Sequence, residues 1–205
     1  MNRNIVQFSI VLMIFTSVVS ANITDRTVEI TPFAGYGFGG EFKEYTTDTK
    51  LKVDDEPVYG FTVDWEAAET TQYEFFFSHQ ATGLDKSNAT APPEAKTDMN
   101  ISYAHIGGLL NFGNDRVSPF ICGGLGATVF DPQHYSSEVK FSINVGGGVK
   151  FFITEKFGIR LEGRGMGTLV DNSVWFHSGS GGAQIGVSGD TFWQFQLNLG
   201  LIFAI

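Results

Sequence analysis

Residues 193–205 read WQFQLNLGLIFAI. Every second residue, Trp193, Phe195, Leu197, Leu199, Leu201, Phe203 and Ile205, is apolar. Those between them, Gln194, Gln196, Asn198, Gly200, Ile202 and Ala204, are mostly polar or small. Alternation with period two over this length specifies a β-strand with one apolar face and one wet face. The run exceeds the roughly 5–6 residues of an ordinary soluble strand and suits the roughly 9–11 that cross a bilayer at a tilt. In water such a strand is an aggregation hazard. In lipid it is stable as one stave of a closed barrel. The fold class this predicts is all-β, a transmembrane β-barrel.

The same alternation recurs upstream. Strands are expected at 28–40, 58–66, 72–80, 100–112, 117–130, 139–153 and 157–169, and with 193–205 they make eight antiparallel staves. The segments between them alternate in length. Long, polar, aperiodic loops are expected at 41–56, 81–99, 131–138 and 170–191, and short turns at 67–71, 113–116 and 154–156. Long loops outside and short periplasmic turns are the pattern of outer-membrane barrels. An even strand count puts both termini on the periplasmic side.

Strand 157–169 fixes which face is inward. Arg160, Glu162 and Arg164 share one parity, and Phe157, Ile159, Leu161 and Leu169 share the other. A one-residue slip would put three charges in hydrocarbon, at roughly 2–4 kcal/mol each near the midplane. The charges therefore point inward. The same parity argument sends Glu29, Asp64, Glu74, His105, Lys140, Lys150, Arg160, Glu162 and Arg164 to the lumen. An eight-stranded barrel is just wide enough for side chains to fill it, so these mixed charges are expected to pair across the interior as a salt-bridged plug. Tyr59, Trp65, Tyr73, Phe112, Phe157, Trp193 and Phe203 lie near strand ends, where interface girdles form.

The N-terminus carries Arg3 and a short apolar run from Ile5 to Val19, followed by Val19-Ser20-Ala21. This pattern predicts a secretory signal over residues 1–21, cut after Ala21, with the barrel domain over 22–205. Loss of Arg3 takes the formal charge from −9 to −10. That balance argues against nucleic acid, which needs a basic face. The single cysteine, Cys122, rules out an internal disulfide.

Taken together, the signal, the eight staves and the loop alternation resemble the small outer-membrane β-barrel proteins of Gram-negative bacteria, the OmpA-transmembrane-domain, OmpX and OmpW type. The resemblance covers essentially the whole mature chain. It extends to the C-terminal alternation at Leu197, Leu199, Leu201, Phe203 and Ile205, the kind of segment the barrel-assembly machinery recognises. Such families usually end in Phe, whereas here Phe203 lies two positions before Ile205. The resemblance implies a protein of the cell outer membrane, in contact with outer-membrane lipids and lipopolysaccharide and with the assembly machinery during insertion. It implies a structural or adhesion-type role, with the loops meeting a host or cell-surface ligand. A narrow channel for small solutes or hydrophobic molecules is the alternative, and a lipid A-modifying enzyme is third.

No motif fixes a reaction. His134-Tyr135-Ser136 places a His and a Ser two apart, able to share a face on a strand. In the deacylases that this spacing resembles, an Asn follows the Ser, and here Ser137 stands in its place. Asp54-Asp55-Glu56 offers carboxylates, but three adjacent acids alternate direction on an extended chain, so a solvated charge run is expected. No catalytic residue, metal site or cofactor is assigned.

Overall fold

A computed structural model describes residues 28–43, 50–86, 97–113, 116–132, 137–169, 174–179, 182–187 and 191–205. The expected signal and the His134/Ser136 pair lie outside the described residues. In chain order the strands are β1 (Val28–Phe38), β2 (Glu41–Lys43), β3 (Lys50–Val53), β4 (Glu56–Ala68), β5 (Thr71–Lys86) and β6 (Thr97–Asn111). There follow β7 (Val117–Pro132), β8 (Glu138–Phe152), β9 (Phe157–Leu169), β10 (Val174–Gly179), β11 (Gly182–Val187) and β12 (Thr191–Ala204).

Eight of these, β1, β4, β5, β6, β7, β8, β9 and β12, form a closed antiparallel barrel. The ring closes where β1 pairs with β12, from Glu29↔Ala204 to Phe38↔Phe195. At the seam, Val28 N donates to Ile205 O at 3.2 Å and Ile205 N donates back to Val28 O at 2.9 Å. Closure leaves no stave with a free edge, which is what a sheet in hydrocarbon requires.

Alternation is obeyed stave by stave. On β12 the odd-numbered residues lie outside, with Leu199 and Leu201 more than half exposed, while Gln196 and Ile202 are fully buried. Aromatic pairs mark the ends of the outer band. Trp65–Tyr73 and Phe157–Phe203 sit near the turns, and Tyr36–Phe38 sits near the loops.

The loop end differs from the sequence expectation. Segment 41–56 is not structureless: β2 pairs with β3, and β3 continues onto the upper part of β5, with Val53↔Leu84. These strands are too short to show periodicity, and pairing to a long neighbour stabilises them. Within 81–99, β5 and β6 stay paired up to Leu84↔Thr97. Within 170–191, β10 and β11 form a hairpin, Gly179↔Gly182 being its innermost pair. Gly179 and Gly182 read as loop in the sequence, and they pair as strand residues instead.

Candidate functional site

The inward rows build the lumen in layers. The lower layer is a lattice of charges. Among the described residues the buried charged side chains are Glu29, Asp64, Glu74 and Glu162 against Lys150, Arg160 and Arg164. Lys150 on β8 meets Glu29 Oε2 at 2.6 Å, Asp64 Oδ2 at 3.1 Å and Gln72 Oε1 at 2.7 Å. Arg160 on β9 meets Asp64 Oδ2 at 2.7 Å, Glu74 Oε2 at 2.6 Å and Thr62 Oγ1 at 3.2 Å, and pairs with its strand neighbour Glu162. Arg164 donates to both oxygens of Glu74 at 2.8 and 3.0 Å, to Asn144 Oδ1 at 3.0 Å, and to Glu162. The guanidinium planes also rest on aromatic rings, Arg160 4.5 Å above Phe120 and Arg164 4.1 Å above Phe76. Each cation thus bridges staves far apart in sequence, tying β1, β4 and β5 across the barrel to β8 and β9.

Glycines on the inward row of β8 let the backbone of β9 approach closely beside these long side chains. Gly146 lies opposite Arg164 and Gly148 opposite Glu162. A Cβ on Gly148 would stand 2.0 Å from the Leu161 carbonyl oxygen, so the backbones there approach too closely for any side chain.

Above the charges lies a layer of amides, hydroxyls and rings. Tyr103 donates to Gln194 Oε1 at 2.9 Å, Gln194 Nε2 donates to Gln80 Oε1 at 2.8 Å, and Thr128 and Thr168 share a bond of 2.8 Å. His105 belongs to this layer and not to the lattice. Its Nε2 lies 2.8 Å from Ser142 Oγ, and its ring stacks near Tyr103 and Phe76.

Toward the loop end an apolar plug fills the barrel interior. It comprises Phe33, Val53, Val58, Phe76, Met99, Ile101, Tyr103, Phe130, Met166 and Phe192. Val53 comes from β3, so the first loop contributes directly to the seal. Gly40 makes that possible: its φ is +117°, and a Cβ there would sit 2.5 Å from the Phe192 ring.

Lys140 departs from the expected lumen set. It shares the inward parity but lies at the loop end of β8, beyond the lattice, and pairs with Glu138 at 3.1 Å. Parity gives the face and not the height. Sequence reasoning placed Thr62 and Asn144 inward without naming them as partners, and it missed Gln72 and the aromatic floor of Phe76 and Phe120.

Below the lattice a cup of about 750 Å³ opens at the turn end. Its lining includes Glu29, Glu66, Glu69, Gln72, Arg116, Lys150 and Glu155. Lys150 and Glu29 thus belong to both the cup and the lattice.

Glu74, Cys122 and Glu162 bring ligand atoms within 4.8 Å of one another. Both carboxylates accept from Arg160 or Arg164, so guanidinium already holds the position a metal ion would take. Of the Asp54–Glu56 run, the Asp55 carboxylate caps a backbone amide, and the backbone carbonyls of Asp54 and Asp55 accept from side chains. Asp55 Oδ1 accepts from Gly39 N at 2.9 Å and its carbonyl accepts from the Tyr36 hydroxyl at 2.8 Å, while the Asp54 carbonyl accepts from Thr82 Oγ1. Of the C-terminal row, Leu197, Leu199, Leu201, Phe203 and Ile205 all face outward.

A closed eight-stave barrel with an apolar outer wall and a charged interior is a transmembrane barrel. The family model described as outer membrane protein beta-barrel domain matches residues 9–203, and the chain belongs to that family. It is a small outer-membrane barrel of the Gram-negative kind. In structure it is similar to the outer membrane protein OprG from Pseudomonas aeruginosa, at 13% identity and a TM-score of 0.52, with 87% of this chain and 95% of that one covered. It is also similar to Neisserial surface protein A, NspA, at 11% identity and a TM-score of 0.51, with 87% of this chain and 96% of that one covered. At these identities the likeness is one of fold. No curated protein matches the sequence.

Proposed function

We propose that the protein is a sealed outer-membrane scaffold whose loop end faces outside and presents a surface-interaction site, of adhesion type. The observation that carries this reading is the double seal. A charge lattice and an apolar plug lie in series across the lumen, and the plug takes one of its residues, Val53, from the first loop. Such a barrel is a rigid pedestal rather than a conduit. Under this reading the signal is removed after Ala21, and the Leu197–Ile205 row serves the assembly machinery before it meets lipid. The partner is a host or cell-surface ligand, and no reaction is assigned.

The test is binding by cells that display the full-length protein to immobilised matrix proteins and surface glycans. Shortening segments 44–49, 87–96 or 170–190 should abolish binding while the barrel keeps its heat-dependent shift on a gel. Unchanged binding after all three deletions would overturn the surface role.

The cup at the turn end favours one alternative, a narrow channel for small solutes gated by Lys150 and its partners. That reading requires both seals to open together.

A further inference from the structure

Among the described residues, polar side chains interrupt the apolar outer wall on β5 and β6. Along the lipid-facing row of β5, Tyr73, Phe75 and Phe77 are followed by His79, and along that of β6, Ile106 and Ala104 are followed by Ser102 and Asn100. His79 and Ser102 lie directly opposite one another on the two strands, with Nδ1 and Oγ 2.8 Å apart. The exposed ring of Tyr59 packs 5.2 Å from the His79 ring. Around this pair the wall is low, because Ala81 stands opposite Asn100 and Ala104 opposite Ala127. The result is a shallow notch floored by small residues and bordered by Tyr59.

Depth decides what such a notch can meet. From the turn at 69–70 the tilted strand climbs roughly 20 Å to His79, near the far edge of an apolar band roughly 25 Å tall. With the loop end outside, that is the outer leaflet, where acyl chains join their headgroups. A second pair with the same chemistry, His105 Nε2 and Ser142 Oγ at 2.8 Å, is enclosed between Tyr103, Phe76 and the lumen. That pair serves packing alone. The outer pair is only half-buried and has lipid as its neighbour.

We propose that His79, Ser102, Asn100 and Tyr59 form a docking notch for an acylated-sugar lipid of the outer leaflet, hydrogen-bonding the hydroxyl and carbonyl groups at its sugar–acyl junction. Hydrocarbon offers these side chains nothing, whereas that junction offers both donors and acceptors at the right depth. Asp131 stands opposite Asn100 and holds Ser137 at 2.5 Å. Its carboxylate disfavours a phosphate in the notch and directs recognition to the uncharged part of the lipid. The alanine floor accepts an acyl chain alongside Ile106 and Phe77. The proposal rests on the outward orientation of the loop end and not on any loop ligand.

The test is native mass spectrometry of the full barrel released from nanodiscs containing equal parts of an acylated glucosamine disaccharide lipid and phosphatidylglycerol. Wild-type protein should retain the glycolipid in preference. The double substitution His79→Phe and Ser102→Ala should lower that retention about three- to ten-fold, the range expected for losing such hydrogen bonds. Phe157→Ala, on the outer wall at the turn end, should leave it unchanged, and the gel shift verifies folding in each case. Equal retention by wild type and double variant would overturn the notch. So would release of free fatty acid by wild type that Ser102→Ala abolishes, because the pair would then be a nucleophile and its base. Loss of cell binding on loop deletion with glycolipid retention intact separates this proposal from the surface role.

Discussion

At the scale of single residues the lattice is governed by charge balance. Four carboxylates face three cations, and Asp64 Oδ1 accepts no hydrogen bond. Taking one cation away leaves four buried carboxylates facing two cations, an uncompensated buried charge that costs about 3–5 kcal/mol. Arg160→Ala, which leaves Asp64, Glu74 and Glu162 facing two cations, should therefore lower stability by about 3–5 kcal/mol in urea unfolding of the reconstituted barrel. Asp64→Asn keeps an acceptor for Lys150 and Arg160 and evens the count, so its cost should stay under about 1 kcal/mol in the same assay. If the two substitutions cost the same, charge balance does not organise the lattice. Gly40 poses a steric question of the same kind. With φ at +117° and the Phe192 ring 2.5 Å from any Cβ, Gly40→Ala should destabilise by about 1–3 kcal/mol.

At the scale of elements, each stave is held by its parity. Leu199 lies mid-stave on the outer row of β12. Leu199→Arg should cost about 2–4 kcal/mol in lipid, while the same change near the interface, at Ile205, should cost about 0–1 kcal/mol. Equal costs at the two depths would mean that β12 does not span the bilayer. Parity is also why the staves were legible in the sequence: a slip on 157–169 sends Arg160, Glu162 and Arg164 into hydrocarbon, so one register survives. The apolar plug was not legible. Phe76 is flanked by the outward Phe75 and Phe77, and Phe192 adjoins the outward Trp193, so inward aromatics are hidden inside aromatic runs. The break in alternation at those runs was the available signal. Lys140 shows the complementary limit, since its parity is inward but its height on β8 brings it to Glu138. The hairpin of β10 and β11 was obscured because residues that favour loops also favour turns.

At the scale of the molecule, the lumen is filled in two different ways along one axis. Near the turns the barrel is held by ion pairs that span the lumen, and near the loops by apolar packing that includes a residue of the first loop. The two seals respond to different changes. Loss of an arginine loosens the first, while a cavity in the aromatic cluster loosens the second. The expected signal makes a further prediction: mature protein from outer membranes should begin at Asn22, as read by mass spectrometry of the intact chain, and retention of residues 1–21 would contradict the signal reading. The most direct test of the sealed scaffold is current through a planar bilayer containing the folded full barrel. Wild type should give no discrete steps, and Arg160→Ala combined with Phe192→Ala should open them by breaching both seals. Discrete conductance in the wild-type barrel, altered by Arg160→Ala alone, would contradict the account and make transport the leading function.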